Sequence, residues 1–357
     1  MHEKKALVAM SGGVDSSVAA FLAKQAGFSC CGATLRLVDS AWLPPEKEPA
    51  ADATDARSIA QRLGMDFILL DAVDVFCDQV VTPFIDCYEC GGTPNPCIYC
   101  NKQLKFGYLL EKSLSLGCQT LVTGHYARVL RDSDTGRFLL YKATDLSKDQ
   151  SYFLSCLGQR ELSHVYFPLG ELTKEQVRAI AQEQGFVNAR KKDSQDICFI
   201  PDGDYKAFME HFTGKQYPAG NYLDLSGNIV GQHAGAVGYT RGQRKGLGLA
   251  MGAPVYVCSK DMAANTVTVG PDEALYSTTL LADGWNWYPF PALTQPIRVN
   301  AKVRYRHTPQ PATVYPEVDG YAKVVFDEPQ RAITAGQAVV LYDGDMVIGG
   351  GTIQQIL

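Results

Sequence analysis

The sequence predicts an α/β amino-terminal domain with a parallel sheet, then a small β-rich central domain and a carboxyl-terminal antiparallel β-barrel. In the first part of the chain, apolar strand-like segments alternate with helical ones, as parallel sheets require. Beyond about Gly214, short runs of alternating apolar residues are separated by Gly, Pro, Asn and Asp, as in antiparallel strands and turns. The 357 residues, 46% of them hydrophobic, can bury more than one core.

The alternation in the amino-terminal part is regular. Residues 5–10 are predicted to form a buried strand, followed by a glycine-rich turn and a helix that ends near Gly27. The pattern repeats with strands at 30–37, 66–70 and 120–124, and with helices at 54–63, 102–116 and 174–184. Helices are therefore expected on both faces of the sheet, with ligands at the carboxyl ends of its strands.

In the second half, the strand pattern recurs in PVYVCSK, NTVTVG, IRVNAKVRYRH, YAKVVFD and QAVVLYDGDMVIGG. The predicted domains are 1–205, 206–278 and 279–357, and the barrel is expected to start near Leu280. No repeat or low-complexity linker marks the inner boundary.

Composition narrows the class of protein. No run approaches the roughly 20 apolar residues of a membrane helix, and the start MHEKKALVAMSGG has too short an apolar run for a signal peptide. A cytoplasmic protein is expected, so the 11 cysteines are predicted to be reduced, some of them catalytic or metal-binding. The net charge of −5 excludes a protein that is basic all over, but a local basic face is enough to bind RNA.

Ser11 to Ser17 (SGGVDSS) lies between the first strand and helix and predicts a phosphate-binding loop. It lacks the Lys-Ser/Thr of a Walker loop and the GxGxxG spacing of a dinucleotide site, which disfavours γ-phosphoryl and hydride transfer. The loop resembles that of adenine-nucleotide α-hydrolase-like ATP pyrophosphatases, which split ATP into AMP and pyrophosphate. Asp15 is interpreted either as a residue that helps place Mg²⁺ or as a helix-start acid favoured by the dipole.

Three cysteines stand in settings that suggest chemistry. Cys97 and Cys100 form a C-x-x-C pair before a predicted helix, where the helix start with Lys102 and Lys105 is expected to favour thiolate. Cys198 lies among polar neighbours in SQDICFI. Cys87 and Cys90 form a second C-x-x-C, so on spacing alone four cysteines also fit a zinc knuckle.

Seven segments occur in the order found in bacterial tRNA-specific 2-thiouridylases: SGGVDSS, TPNPCIYCNKQLKF, GHYAR, KDQSYFL, KKDSQDICFI, YTRGQRKGLG and AGQAVVLYDGD. The first is shared by many ATP pyrophosphatases, whereas the ordered set is highly specific and spans essentially the whole chain. The sequence therefore resembles this family. The resemblance implies a nucleotide-binding domain, a small central domain and a β-barrel that holds tRNA.

The resemblance also implies roles for individual residues. ATP is expected to contact Ala9, Met10, Ser11, Gly12, Gly13, Val14, Asp15, Ser16, Leu35 and Gly124. The target base is expected at Asn95, Pro96 and Cys97, with Cys100 as nucleophile and Cys198 as persulfide carrier. Further tRNA contacts are expected at His125, Lys148, Asp149, Gln150, Arg304, Tyr305 and Gln337.

From the residues alone, these tRNA contacts have structural alternatives. KDQ fits a solvated turn, His125 a hydrogen-bonded loop histidine, and RYRH the outward face of a strand. Against these alternatives, Lys302, Arg304, Arg306 and His307 are close enough in sequence to form a basic patch suited to phosphates.

The implied reaction uses ATP and Mg²⁺ to adenylate the 2-oxygen of the wobble uridine, and sulfur then replaces that oxygen to give 2-thiouridine. Cys100 forms a disulfide with Cys198 as sulfur is released, and a reductant resets the pair. The expected partners are tRNA and either a sulfur donor or relay protein or free sulfide. The chain is expected to be a monomer without a membrane partner.

Cys97 occupies a position where many members of the family have Asp. It suggests a variant mechanism in which Cys97, Cys100 and Cys198 bind a [4Fe-4S] cluster whose fourth iron carries hydrosulfide. Two functions of other classes remain alternatives: an ATP pyrophosphatase that activates a small metabolite, and a noncatalytic RNA-binding metalloprotein. The absence of a glutaminase-type domain disfavours the first, and the SGGVDSS loop disfavours the second.

Overall fold

Five parallel strands form the amino-terminal sheet of the computed structural model, which describes residues 4–39, 42, 51–191, 197–200 and 203–357. Residues 192–196, which belong to the motif KKDSQDICFI, lie outside the described residues. The sheet order is β3-β2-β1-β4-β7, and β5 and β6 form a separate hairpin. The strands are β1 Lys5–Ala9, β2 Ser29–Arg36, β3 Asp66–Asp71, β4 Thr120–Val122, β5 Arg128–Arg131, β6 Phe138–Tyr141 and β7 Val165–Tyr166.

Helices cover both faces of this sheet. Ala6 and Val8 of β1 belong to one core, whereas Leu7 between them belongs to the core on the other face. A strand buried on both faces needs apolar residues at successive positions, and residues 6–9 of β1, ALVA, meet this requirement. The parallel α/β fold predicted from the sequence is thereby confirmed.

Ten α-helices occur in the described part of the chain. Two π-helical segments join neighbouring helices: Cys77–Val81 lies between α3 and α4, and Cys100–Tyr108 lies between α5 and α6. Such segments are rare and are often found at functional sites. The helices are α1 Val14–Gln25, α2 Ala51–Arg62, α3 Val73–Phe76, α4 Thr82–Glu89, α5 Pro96–Tyr99, α6 Leu109–Ser115, α7 Ser151–Leu154, α8 Gln159–Leu162, α9 Lys174–Glu183 and α10 Tyr205–Thr213.

The second half is built of antiparallel strands, with one parallel pair in the central sheet. That sheet has the order β10-β11-β8-β9, in which β11 and β8 are parallel. Strands β12 to β17 close into a barrel because β12 pairs with both β15 and β17. The strands are β8 Gly220–Leu223, β9 Ile229–His233, β10 Tyr256–Asp261, β11 Thr266–Gly270, β12 Tyr276–Trp287, β13 Ile297–Lys302, β14 Gln310–Pro316, β15 Ala322–Arg331, β16 Ala338–Asp343 and β17 Met346–Ile356.

The hairpin β5–β6 extends the barrel sheet although it belongs to the amino-terminal part of the chain. Tyr141 of β6 pairs with Met346 of β17. Between the two strands of the hairpin, the Arg137 guanidinium donates to the carbonyl oxygens of Tyr288 (2.6 Å) and Trp287 (2.8 Å). The barrel is therefore attached to the amino-terminal domain through main-chain pairing and charged hydrogen bonds.

The strand expected for IRVNAKVRYRH is shorter than its pattern indicates. β13 ends at Lys302, and residues 303–307 form bends and turns rather than the outward face of a strand. In the described residues, no helix is long and apolar enough to cross a membrane.

Candidate active site

The phosphate loop follows β1 at the carboxyl end of the sheet. Gly12 has φ +73°, a conformation that side chains with a Cβ rarely adopt, and Gly13 caps the start of α1. The hydroxyls of Ser16 and Ser17 donate to the Gly13 carbonyl at 3.0 and 2.9 Å. The loop is thus held tightly at the positive end of a helix dipole, which favours an anion.

The loop after β4 touches this phosphate loop. A Cβ built on Gly124 would lie 2.7 Å from both the carbonyl carbon of Asp15 and the nitrogen of Ser16. Leu35 lies on β2, two residues beyond Ala33, which pairs with Ala9 at the end of β1. The structure therefore brings the residues predicted for ATP to one edge of the sheet.

Two residues remote in sequence also hold the loop, and sequence reasoning did not identify them. The Asn188 amide donates to the Gly12 carbonyl at 2.9 Å and to the Ser17 hydroxyl at 3.0 Å. Lys191 lies 3.5 Å from the Gly12 carbonyl and 3.3 Å from the Asp55 carboxylate. Lys191 begins the motif KKDSQDICFI, but the motif gives it no role, and no local pattern marks Asn188, because both roles depend on the path of the chain after α9.

The carboxylate of Asp15, in the first turn of α1, has partners within the protein. The Lys174 ammonium lies 2.7 and 2.9 Å from its two oxygens, and the Tyr126 hydroxyl donates to Oδ1 at 2.9 Å. Lys174 is only 8% exposed. Both interpretations of Asp15 remain compatible with its position, but the structure shows its carboxylate neutralised by a lysine.

The cysteines Cys97, Cys100 and Cys198, here called the thiol cluster, are brought together from α5, the following π-helical segment and the loop before α10. Burial raises the pKa of each thiol, and for Cys198 the nearby Cys100 and Cys97 help raise the pKa to about 12. Cys97 and Cys198 are nevertheless solvent-exposed. Thiols that are surrounded by protein and still accessible lie in a concave site.

Lys105 acts on all three thiols. Its positive charge lowers the pKa of Cys97, Cys100 and Cys198 against the larger effect of burial. Lys102 instead lowers the pKa of Cys156. The expectation that this setting favours thiolate is therefore wrong in its net effect, because desolvation outweighs the lysine. The expected direction of the Lys105 effect, a lower thiol pKa, is correct.

His125 connects Lys105 to the sheet. Its Nε2 lies 3.4 Å from the Lys105 ammonium and its Nδ1 lies 2.7 Å from the Thr123 hydroxyl. Because an ammonium can only donate, Nε2 accepts and Nδ1–H donates to Thr123. Burial first, and then Lys105, hold the pKa of His125 well below its usual value, so the ring is neutral. At 8% exposed, His125 orients Lys105, and its contact with tRNA stays a prediction.

The barrel holds the segment predicted to face the target base. The Gln337 amide donates to the carbonyl oxygens of Thr93 (2.8 Å) and Pro94 (3.1 Å). Asn95 then caps α5, which carries Cys97. Gln337 and the segment Asn95 to Cys97 are therefore brought together, although Gln337 uses its side-chain amide within the protein.

The other residues predicted to contact tRNA form a second group. The Tyr305 ring packs on Phe153 with centroids 4.3 Å apart, which places residues 304–305 beside the segment after Gln150. Most of this group also has internal partners. Arg304 donates to Arg241, Ala332 and Thr334, and Asp149 accepts from Ala143 and Ser151. The expected basic patch is consequently partly buried around Arg304.

The two C-x-x-C pairs have different surroundings. Cys87 is close to Cys90 and Lys260, whereas Cys97 and Cys100 are close to Cys198. Within the described ranges, no three His, Cys, Asp or Glu side chains are arranged to hold a metal ion. The zinc-knuckle alternative therefore has no support from these residues.

Family models define the class of protein to which this chain belongs. A family model described as a tRNA methyl transferase HUP domain matches residues 4–202. A PRC-barrel model from the same family matches 206–271, and an aminomethyltransferase β-barrel model matches 277–353. The fold and the phosphate loop thus define a HUP-domain protein that carries two β-rich domains.

Curated relatives narrow the class to one family. The chain is 45% identical to the tRNA-specific 2-thiouridylase MnmA of Acetivibrio thermocellus, covering 99% of this chain and 100% of the relative. It is 43% identical to the Clostridioides difficile protein of that name (99% of both chains) and 46% identical to that of Heliobacterium modesticaldum (97% and 91%). The chain belongs to the tRNA-specific 2-thiouridylase MnmA family.

A crystal structure described as a 4-thiouridine synthetase–RNA complex with bound ATP is a more distant match. It covers 56% of this chain and 45% of its own, at 18% identity and a TM-score of 0.38. Similarity at this level supports no statement about ligands.

Substituting Gly124→Ala tests the contact between the β4 loop and the phosphate loop. The added methyl group would meet main-chain atoms that cannot move aside, so we expect a loss of about 1–3 kcal/mol in the free energy of unfolding. Urea unfolding and ATP titration measure the two effects, and ATP affinity should fall. Gly238→Ala is the control, because the added methyl group would lie 3.6 Å from the Lys206 Cβ, an ordinary contact distance. Unchanged ATP affinity in a folded Gly124→Ala protein would refute the placement of Gly124 at the nucleotide.

Substituting Lys105→Met tests the electrostatics of the thiol cluster. Removing the positive charge raises the thiol pKa values, so alkylation of Cys100 and Cys198 by iodoacetamide should slow at a fixed pH and its pH profile should move upward. Mass spectrometry resolves the rate at each cysteine. Lys102→Met is the matched control and should leave these two profiles in place. Identical profiles for the Lys105→Met and wild-type proteins would contradict the assignment.

Proposed function

We propose that the protein uses ATP to activate the 2-oxygen of the wobble uridine in tRNA and replaces that oxygen with sulfur, giving 2-thiouridine. Membership of the family over nearly the full chain supports this reaction. One structural observation carries this proposal: two consecutive residues link the phosphate loop to the thiol cluster. Gly124 touches the phosphate loop, and His125 holds the lysine that acts on the thiol cluster.

In the activation step, the uridine oxygen attacks the α-phosphate of ATP and pyrophosphate leaves. The N-terminal end of α1 and the phosphate loop stabilise the negative charge of the phosphates. Mg²⁺, expected with ATP, would shield the same charge. Because the Asp15 oxygens already accept from Lys174 and Tyr126, we assign no step to a metal on this residue.

In the sulfur step, the terminal sulfur of a Cys198 persulfide attacks C2 of the activated uridine, and AMP leaves with the oxygen. The Cys100 thiolate then attacks the Cys198 sulfur, which releases 2-thiouridine and leaves a Cys100–Cys198 disulfide. A dithiol reductant restores both thiols, and a persulfide donor recharges Cys198. Lys105 stabilises anionic sulfur at each stage, since its charge acts on both cysteines.

For tRNA binding, we propose contacts at the two groups of residues predicted from the sequence. Asn95, Pro96, Cys97, His125 and Gln337 lie on the side of the thiol cluster, and Lys148, Asp149, Gln150, Arg304 and Tyr305 form the second group. Tyr305 offers a ring for stacking, and Lys148 and Arg304 offer positive charge for phosphates. We propose 1–205 as the catalytic domain, 206–278 as the central domain and 279–357 as the tRNA-binding barrel, in a monomer located in the cytoplasm with tRNA.

The iron–sulfur variant is a separate hypothesis. Three thiols are chemically suitable donors for a [4Fe-4S] cluster that keeps one open iron. The described residues do not place three such donors at metal-binding spacing, so the residues do not fit the cluster in this arrangement. We therefore derive no step through it.

The reaction is tested by incubating the protein with unmodified tRNA, ATP, Mg²⁺, a persulfide donor and a reductant, then digesting the RNA for mass spectrometry. We expect 2-thiouridine only with ATP and none from Cys100→Ala or Cys198→Ala. Cys118→Ala, a buried thiol away from the cluster, should retain the activity. If the wild type gives no thionucleoside but releases pyrophosphate with a small metabolite, the proposal is wrong.

The sulfur carrier is tested by iron and sulfide analysis of protein prepared without oxygen. On the persulfide mechanism, we expect no stoichiometric iron and no broad absorption near ~400 nm, the region where thiolate-bound clusters absorb. Stoichiometric iron and sulfide that are lost in Cys97→Asp would instead establish the cluster. Cys90→Ala is the matched control, because Cys90 is exposed and belongs to the other C-x-x-C pair.

A further inference from the structure

Asp15 of the phosphate loop is held by two residues that come from outside the loop. The Lys174 ammonium lies within 2.9 Å of both carboxylate oxygens, and the Tyr126 hydroxyl donates to one of them at 2.9 Å. Both partners are buried, Lys174 at 8% and Tyr126 at 2% exposed. Since charged hydrogen bonds are strong and directional, these two residues determine where the Asp15 carboxylate points.

The main chain of Tyr126 is bonded to Gln150. The Tyr126 N–H donates to the Gln150 side-chain oxygen at 3.0 Å, and the Gln150 N–H donates to the Tyr126 carbonyl at 2.9 Å. Gln150 belongs to the proposed tRNA-contacting segment. A displacement of Gln150 therefore moves the residue that donates to Asp15.

The main chain of Lys174 is bonded to the start of the same segment. The Lys174 N–H donates to the Asp145 carboxylate at 3.0 Å. Asp145 also accepts from the main chain of Ser147 at 3.0 Å, and its carbonyl accepts from Lys148 at 3.0 Å. Residues 145–150, here called the coupling segment, are thus bonded to both residues that hold Asp15.

We propose that Tyr126 and Lys174 are positioning residues that couple the coupling segment to the phosphate loop, so that bound tRNA sets the orientation of Asp15 and strengthens the binding of ATP. This inference rests on the proposed function. The coupling restricts ATP consumption to complexes that contain tRNA, because cleavage without an acceptor uridine would waste the nucleotide. The two connections are short and buried, as coupling through packed groups requires.

The competing explanation is a purely structural clamp. Lys174 lies at the start of α9, which packs on α1, so the ion pair also fastens these helices. A clamp of this kind would lower stability, and it would change the ATP affinity equally with and without tRNA. Coupling instead changes the ratio of the two affinities, and it is reciprocal between the ligands.

The experiment measures the affinity for a nonhydrolysable ATP analogue with and without unmodified tRNA in wild type, Tyr126→Phe and Lys174→Met, and the ratio of the two affinities is the stimulation factor. We expect tRNA to increase the affinity of the wild type and the stimulation factor to fall about tenfold in both variants, which is within the usual range of coupling between sites. A nonhydrolysable ATP analogue should likewise increase tRNA affinity in the wild type and less in the variants. Lys206→Met is the matched control: it removes a partly buried ion pair with Glu210 at 2.7 Å and should keep the full stimulation.

Equal stimulation factors in the variants and the wild type would overturn the inference, as would a wild type that tRNA does not stimulate. Tyr126→Phe loses one hydroxyl and keeps the ring, so it provides a folded variant if Lys174→Met fails to fold. Assay of 2-thiouridine in wild-type reactions with ATP separates the two claims. No thionucleoside would refute the proposed function, whereas thionucleoside with unchanged stimulation factors refutes only the coupling.

Discussion

The close approach of the β4 loop to the phosphate loop is the contact on which the rest of the site depends. Gly124 lies against the main chain of Asp15 and Ser16, at a distance that leaves no room for a Cβ. The side chains of the next two residues bind different partners. His125 holds Lys105 beside the thiols, and Tyr126 holds Asp15. A single turn of chain thus connects the phosphate loop and the thiol cluster.

The thiol cluster shows two electrostatic effects in opposition. Burial raises the pKa of all three cysteines, and Lys105 lowers it, with burial as the larger effect. A neutral His125 suits this arrangement, since a protonated ring would repel the lysine. The three thiols are therefore mostly protonated at neutral pH, and the charge of Lys105 is placed to stabilise an anion on any of them.

The barrel takes part in the site as well as in the proposed binding of tRNA. Gln337 holds the loop before Asn95, and the β5–β6 hairpin joins the barrel sheet. Because both connections use main-chain groups or side-chain amides, they position the segment before Cys97 with little freedom. The orientation of the target-base segment consequently depends on residues more than two hundred positions away.

Much of the fold followed from the sequence alone. Period-two and helical apolar patterns are local, so β1 to β4, α1, α2 and α9 were predicted with bounds within a few residues, and the β-rich character of the second half was predicted as well. The loop SGGVDSS predicted a phosphate site, because its glycines and its place between strand and helix are local features too. The ordered motifs predicted the family, which the comparisons confirm.

Other properties were decided only by the tertiary structure. The sequence placed both Lys102 and Lys105 near the cysteines, but in the structure Lys102 acts on Cys156 and Lys105 acts on the thiol cluster. Lys174 meets Asp15 across 159 positions, and no pattern in either segment predicts the other. Net thiol pKa also depends on burial by distant segments. Periodicity records which face of an element is buried, whereas partners across the fold depend on how the elements pack.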